Sequence, residues 1–322
     1  MWVTGRRDLD WYVALGDLDT VPDVTVLGRD VGARAARDLE AFFGPGWLAR
    51  AARTAIAGLV DYWPSQGTAG AYGNVIGLWA SLQLLVDAKV RGIGEVRKSL
   101  RTNLQEVGFR HALTQVRLAA QGVVAGHHVT LEPSKPDGVP GDLTLANAGT
   151  EVFVEIKTFN PDRQVVHSYS EHAPRLWRDL DKKARQTHAA GEAWVWVQDN
   201  NGTLWSTTPF AQMPLQAKAN VLSDLVEPLF DMHPHLVGVV LSSASMPGGT
   251  ATNVNTQVPQ GLGFRRVLPG AKVRESIVLH RRPVGPGQLD LVAGLCADEP
   301  SWLARALSRL GISGGLASLT TY

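Results

Sequence analysis

One cysteine in 322 residues, Cys296, leaves no partner for an internal disulfide and no thiol cluster for a structural zinc site. That usage suits a reducing cytosol, so a cytoplasmic location is the expectation. No run of about 18 apolar residues occurs, which argues against a membrane-spanning helix, and no membrane partner is expected. The opening MWVTGRRDLDWY also lacks the apolar segment of a secretory signal. Charge of one sign is scarce: 31 Lys and Arg stand against 30 Asp and Glu. Basic residues outnumber acidic ones only in the middle of the chain, by 14 to 11 over residues 91–190, against 8 to 10 before and 9 to 9 after. A polyanion would bind there, although so small an excess does not by itself establish nucleic-acid binding. There is no G-x-x-x-x-G-K-S/T string and no H-E-x-x-H pair. The small-residue stretch PSQGTAGAYGN, residues 64–74, therefore reads as a plain loop rather than a phosphate cradle.

What is present is apolar material enough for a large core, 44% of the chain, and one stretch dense in signals. Residues 140–158, PGDLTLANAGTEVFVEIKT, read as a β-hairpin turning at Asn147-Ala148-Gly149-Thr150. A two-residue turn at Ala148 and Gly149 pairs 147 with 150, 146 with 151, and so on to 142 with 155. Leu143 and Leu145 then share a face with Val152, Val154 and Ile156. The opposite face receives Asp142 directly across from Glu155, with Lys157 two residues further on. Like charges at about 4.5–5.5 Å between Cβ atoms repel, so something must compensate them. A divalent ion would do so, since Mg²⁺ needs only one or two protein carboxylates beside water and phosphate, and the Ile156 carbonyl offers a further ligand. Such an ion serves phosphodiester hydrolysis, with Lys157 orienting the attacking water or offsetting transition-state charge. The competing reading is a surface hairpin with an exposed Glu155–Lys157 ion pair.

An Asp at a strand start, a hairpin, then Glu-x-Lys resembles the PD-(D/E)XK, or restriction-endonuclease-like, nucleases. Here the pattern is Pro140-Gly141-Asp142 followed by Glu155-Ile156-Lys157, and the resemblance covers about residues 104–200, extending towards 243. It implies an α/β fold with a mixed central sheet flanked by helices. It also implies a Mg²⁺ or Mn²⁺ centre on Asp142, Glu155 and Ile156, with Lys157 catalytic. The family's upstream acid comes from the preceding helix, where Glu106 is one candidate and Gln115 lies nearer the expected spacing. Gln115 would put an amide in place of a charged ligand. A polar residue on the following helix often faces the site, and Lys183-Ala184-Arg185-Gln186 resembles that element. Gln186 would bond the attacking water or a phosphate oxygen, with Lys183 in support.

The remaining elements follow from periodicity. Helices are expected at 31–43 and 47–61, separated by Gly44-Pro45-Gly46, and at 75–91. A helix over 99–122 carries Phe109, Leu113, Val116 and Ala120 as its apolar stripe. A strand at 127–132 leads to the hairpin. A polar loop over 159–173, with His167, Tyr169 and His172, leads to a helix from Pro174 to Ala190. That helix presents Arg175, Arg178, Lys182 and Arg185 along one side, a stripe suited to a phosphodiester backbone. Strands at 193–199, 236–242 and 274–282 enclose a helix over 209–232 and a loop over 247–263, and a short helix at 300–310 follows. Trp2 and Trp11 read as core anchors, and the His127-His128 and His233-Pro234-His235 groups as hydrogen-bonded histidines rather than ligands.

The domain expectation is a mainly helical accessory domain over 1–100, a nuclease-like α/β domain over 101–283, and a C-terminal helix and tail over 284–322. The functional expectation is a metal-dependent nuclease acting on DNA ahead of RNA, as a homodimer if it makes double-strand breaks. The alternative is a catalytically silent nuclease fold that binds nucleic acid or a protein. A third class is a phosphatase or nucleotide hydrolase using the same carboxylates.

Overall fold

The computed structural model describes residues 26–48, 67–102, 106–134, 140–159, 168–199, 209–245, 256–258, 261–268, 272–281 and 283–296, with 138, 204, 306 and 308–311 besides. Trp2, Trp11, His167 and most of the helices expected at 47–61 and 300–310 lie outside them. Two compact units emerge: residues 1–120 with 268–271 and 299–322, and residues 121–267 with 272–298.

The described elements of the first unit are helices: α1 (Val26–Phe43), α2 (Gly67–Asp87), α3 (Ile93–Thr102) and most of α4 (Glu106–Val124). Gly44, at φ 105°, ends α1 in a conformation that a side chain would oppose. The turn returns Trp47 to stack on Phe43 with ring centroids 4.1 Å apart, and its indole N–H donates to the Leu100 carbonyl at 3.2 Å. Glu40 accepts the Leu48 N–H at 2.7 Å, tying that turn to α1. Two expectations fail here. Residues 67–74 are helical rather than a loop, because the buried helix Ile76–Leu85 propagates backwards at one hydrogen bond per residue fixed, which offsets the cost of its glycines. The single helix expected over 99–122 is two, α3 and α4, although its stripe of Phe109, Leu113, Val116 and Ala120 is buried as expected.

The second unit is α/β. It contains β1 (His128–Leu131), β2 (Leu143–Asn147), β3 (Thr150–Thr158), α5 (Tyr169–Thr187), β4 (Ala193–Asp199), α6 (Leu215–Met232), β5 (Leu236–Ser245), β6 (Thr256–Val258), β7 (Gly261–Leu268), β8 (Lys272–His280) and α7 (Pro286–Cys296). The strands form a mixed open sheet of six, β1-β2-β3-β4-β5-β8, continued at the β8 edge by β7 and β6. β1, β2 and β3 are antiparallel, β3, β4 and β5 parallel, and β8 antiparallel to β5. The parallel pairs are joined by α5 and α6, as crossovers require. β4 is buried at all seven positions, the pattern of a strand covered on both faces. On one face Val195, Val197, Val239, Leu241, Ile277 and Leu279 pack under Leu176, Leu180 and Ala184 of α5 and Leu222, Val226 and Leu229 of α6. On the other, α7 and the end of α4 cover the hairpin: a Cβ on Gly122 would lie 2.9 Å from Leu145 and 3.7 Å from Leu295.

Three boundaries differ from expectation. Helix α5 starts at Tyr169 because Glu171 reaches back to accept the Ser168 N–H at 3.1 Å, so Tyr169 and His172 belong to a helix rather than a loop. β6 and the first three residues of β7 occupy part of the loop expected over 247–263, and the rest of β7 lies where no element was expected. Helix α7 was not expected, and it falls in the sheet unit rather than in a tail. Its signal was there: Pro286 at the first helical position, then Leu289, Leu291, Val292 and Leu295. Among the described residues no helix is long and apolar enough to cross a membrane.

Candidate functional site

The hairpin pairs Asn147 with Thr150, Ala146 with Glu151 and Leu143 with Val154. Ala148 and Gly149 both take positive φ, 48° and 82°, which matches the right-handed twist of the flanking strands. Leu143, Leu145, Val152, Val154 and Ile156 are all buried on one face, as the alternation implies. The opposite face is not a solvent surface: Thr144, Phe153, Asp142 and Glu155 are each exposed by less than a tenth.

Asp142 is positioned by its neighbours. The Gly141 N–H donates to the Pro133 carbonyl at 2.8 Å and the Asp142 carbonyl accepts the Glu132 N–H at 3.1 Å, so the backbone here faces β1. Towards β3 the side chain takes over, and its Oδ2 accepts the Ile156 N–H at 2.6 Å. A strand residue's N–H and C=O point to the same side, so the Ile156 carbonyl lies on the Asp142 side as well. Gly141 makes room for this arrangement, since a Cβ there would sit 2.1 Å from the Phe153 ring. Gly141→Ala is therefore expected to cost about 1–3 kcal/mol by overpacking. Urea denaturation checks this, and an unchanged midpoint would contradict the crowding.

The two carboxylates converge on one cation. Lys183 Nζ on α5 lies 2.9 Å from Glu155 Oε1 and 3.6 Å from Asp142 Oδ2, with its side chain only 18% exposed. Lys157, expected beside the acids, instead pairs with Asp179 at 3.0 Å. Asp179 is one helical turn before Lys183, a relation visible in the i, i+4 spacing that the sequence reading passed over. Gln186 continues this row at i+3 from Lys183 but is exposed, and the row beside it is the basic stripe. Within that stripe Lys182 is exposed, Arg185 is paired with Asp181 at 2.8 Å, the Arg178 side chain donates to the Pro174 carbonyl at 3.3 Å, and Arg175 lies over the Phe159 ring. Gln115 is buried on α4 in the first unit, and Glu106 opens that helix.

Among the described residues no group of three His, Cys, Asp or Glu side chains is placed to hold a metal ion. The oxygens beside Lys183 Nζ are those of the two carboxylates, and the Ile156 carbonyl lies on the Asp142 side of β3. Such oxygens suit a hard divalent cation completing its shell with water and phosphate better than zinc, whose sites are built mainly on histidine and cysteine.

A second polar cluster, not foreseen, lies at the carboxyl ends of β4 and β5. Asp199 is fully buried and accepts hydrogen bonds from Ser243 Oγ and the Leu204 N–H, each at 2.7 Å. Lys218 of α6 and Glu275 of β8 form a buried ion pair. The His233-Pro234-His235 connection is hydrogen-bonded: His233 to Asp181 at 2.8 Å and His235 to the Ala184 carbonyl at 2.7 Å.

Burial lowers the pKa of three histidines below 6.5. For His127 burial is the whole cause. For His172 burial leads, Asp199 opposes it and Arg175 adds to it; for His235 burial leads, the Ala184 carbonyl opposes it, and His188, His233 and Arg281 add to it. An imidazole held neutral in the native state stays unprotonated while the unfolded chain takes up protons, so these groups contribute stability that is lost as pH falls below 6.5. The urea midpoint should be lower at about pH 5 than at about pH 7.5, and equal midpoints would contradict the burial.

No protein-family model, curated protein or solved structure matches this chain.

Proposed function

We propose that the second unit is a restriction-endonuclease-like domain that hydrolyses phosphodiester bonds of DNA, rather than RNA, with Mg²⁺ or Mn²⁺, in the cytoplasm. Residues 1–100 would form its helical accessory domain. The observation that carries this reading is the convergence of Asp142 and Glu155 on a single cation, Lys183 Nζ, at 3.6 and 2.9 Å. The order helix, hairpin, helix, strand, with the acids on the hairpin's polar face, is in keeping with the fold implied by the Asp and Glu-x-Lys pattern.

Asp142, Glu155 and the Ile156 carbonyl would hold the ion, which when bound polarises a phosphoryl oxygen and lowers the pKa of a water. Asp142 has a second task, holding the Ile156 N–H and hence the carbonyl's direction. Lys157 and Lys183 supply ammonium groups for the charge that develops on the phosphate. Gln186, one turn beyond Lys183, would bond the attacking water or a phosphate oxygen, and Lys182 with Arg175, Arg178 and Arg185 would give the backbone a positive track without reading bases. One site per chain nicks one strand, so double-strand cleavage would call for a homodimer.

A second reading has its own support. Both ammonium groups are already matched by carboxylates, as in a silent module that binds nucleic acid or a protein. Supercoiled plasmid, single-stranded DNA and RNA incubated with Mg²⁺, Mn²⁺ or EDTA separate the readings. Cutting in Mg²⁺ or Mn²⁺ and none in EDTA is the expected result. A mobility shift without cutting in every condition would favour the silent module, and hydrolysis of a small phosphoester alone would favour a phosphatase.

A further inference from the structure

We infer that Lys183 is an exchangeable counter-ion: its ammonium holds the Asp142–Glu155 pair when no divalent ion is bound and must leave that position for one to enter. This rests on the metal-site reading above and adds to it a competition between a side chain and the ion.

The argument is one of charge and position. Asp142, Glu155 and Asp179 contribute three negative charges and Lys157 and Lys183 two positive ones, in two groups: Lys183 with Asp142 and Glu155 at 3.6 and 2.9 Å, and Lys157 with Asp179 at 3.0 Å. The sum is −1. Lys183 touches both prospective ligands at once, whereas Lys157 touches neither of them and is held by Asp179. A divalent ion on Asp142 and Glu155 would therefore meet Lys183, and an ammonium beside it would repel it. Exchange removes that repulsion. The long lysine stem gives the ammonium somewhere to go, because Lys183 is partly exposed and lies beside exposed Gln186 on its helix. With the ion bound the five side chains and the ion sum to +1, which suits a phosphodiester of charge −1. No bond forms or breaks in this step; one cation replaces another.

The prediction runs opposite to a supporting role in metal binding. Lys183→Met removes the competitor and keeps the stem, so Mn²⁺ should bind about tenfold or more tightly than to the wild-type chain. Lys183→Arg, which keeps the charge, should bind no more tightly than wild type. The measurement is calorimetric titration of the full-length chain with Mn²⁺ alone, repeated with Asp142→Asn in both backgrounds. Asp142→Asn should abolish the gain. Lys183→Met binding equal to or weaker than wild type would overturn the exchange. If Asp142→Asn then still weakens Mn²⁺ uptake, the metal-site reading stands and the exchange alone falls; if Mn²⁺ uptake ignores Asp142, both fall. Should Lys183→Met not fold, Lys183→Gln carries the same expectation. In the wild-type chain, Mn²⁺ should also speed reductive methylation of Lys183, read by mass spectrometry, and protection would count against release.

Discussion

Glu155→Gln is expected to lower metal-dependent DNA cleavage by at least about a hundredfold, because a carboxylate lost from a metal centre removes several kcal/mol of transition-state stabilisation. The substitution keeps the shape and burial of the side chain and removes only its charge. Glu155 is 5% exposed and its Oε1 receives the Lys183 ammonium, so an amide there leaves the ammonium one carboxylate short. Asp142→Asn should have a comparable kinetic effect but a less selective one. The Asp142 carboxylate also accepts the Ile156 N–H, and weakening a hydrogen bond to a charged group costs about 1.5–3 kcal/mol of stability at most. The two variants therefore separate chemistry from folding: both should lose cleavage, and Asp142→Asn should also unfold at lower urea. Nicking of supercoiled plasmid in Mg²⁺, under single-turnover conditions, is the assay. A Glu155→Gln chain that nicks at the wild-type rate would remove this carboxylate from the mechanism.

Lys218→Ala is expected to destabilise the sheet unit by about 3–5 kcal/mol, the cost of leaving one member of a buried ion pair without its partner. Lys218 sits in the first turn of α6 and Glu275 on β8, 4% and 2% exposed respectively, so neither charge can turn to water. Glu275→Ala should cost a similar amount. The double variant Lys218→Met with Glu275→Leu should recover most of the loss, since apolar groups of similar volume carry no desolvation penalty. Urea unfolding of the wild type, Lys218→Met, Glu275→Leu and the double variant forms the cycle. Additive losses in the double variant would show that the pair is not coupled in the way its burial implies.

The hairpin and its site were legible in the sequence to different depths. Register followed from a two-residue turn and alternation, and every apolar position on the inner face was assigned correctly. Partner choice was not legible. Alternation placed Lys157 on the same face as Glu155, but a lysine's long stem lets it pair beyond its nearest acid, and Asp179 is nearer to it in space than any pattern on the hairpin could reveal. The resemblance named Lys183 of the following helix as a supporting residue, but its bond to Glu155, 28 residues before it, is set by how α5 lies across β3. The failed expectations share a cause. Residues 67–74, 256–258 and 261–263 are rich in glycine or small polar residues and so read as loops, yet each is held in a regular element by its continuation or strand partner rather than by its own propensity. α7 falls between the last expected strand and the helix expected at 300–310, where its short apolar run after two prolines was given no element.

A crystal of the wild-type chain soaked in Mn²⁺ and measured at an anomalous wavelength tests the central claim most directly. A peak about 2.1 Å from carboxylate oxygens of both Asp142 and Glu155, with Lys183 Nζ withdrawn, is the result expected. A map in which the two carboxylates point apart, or in which Mn²⁺ sits elsewhere while Lys183 stays between them, would contradict it.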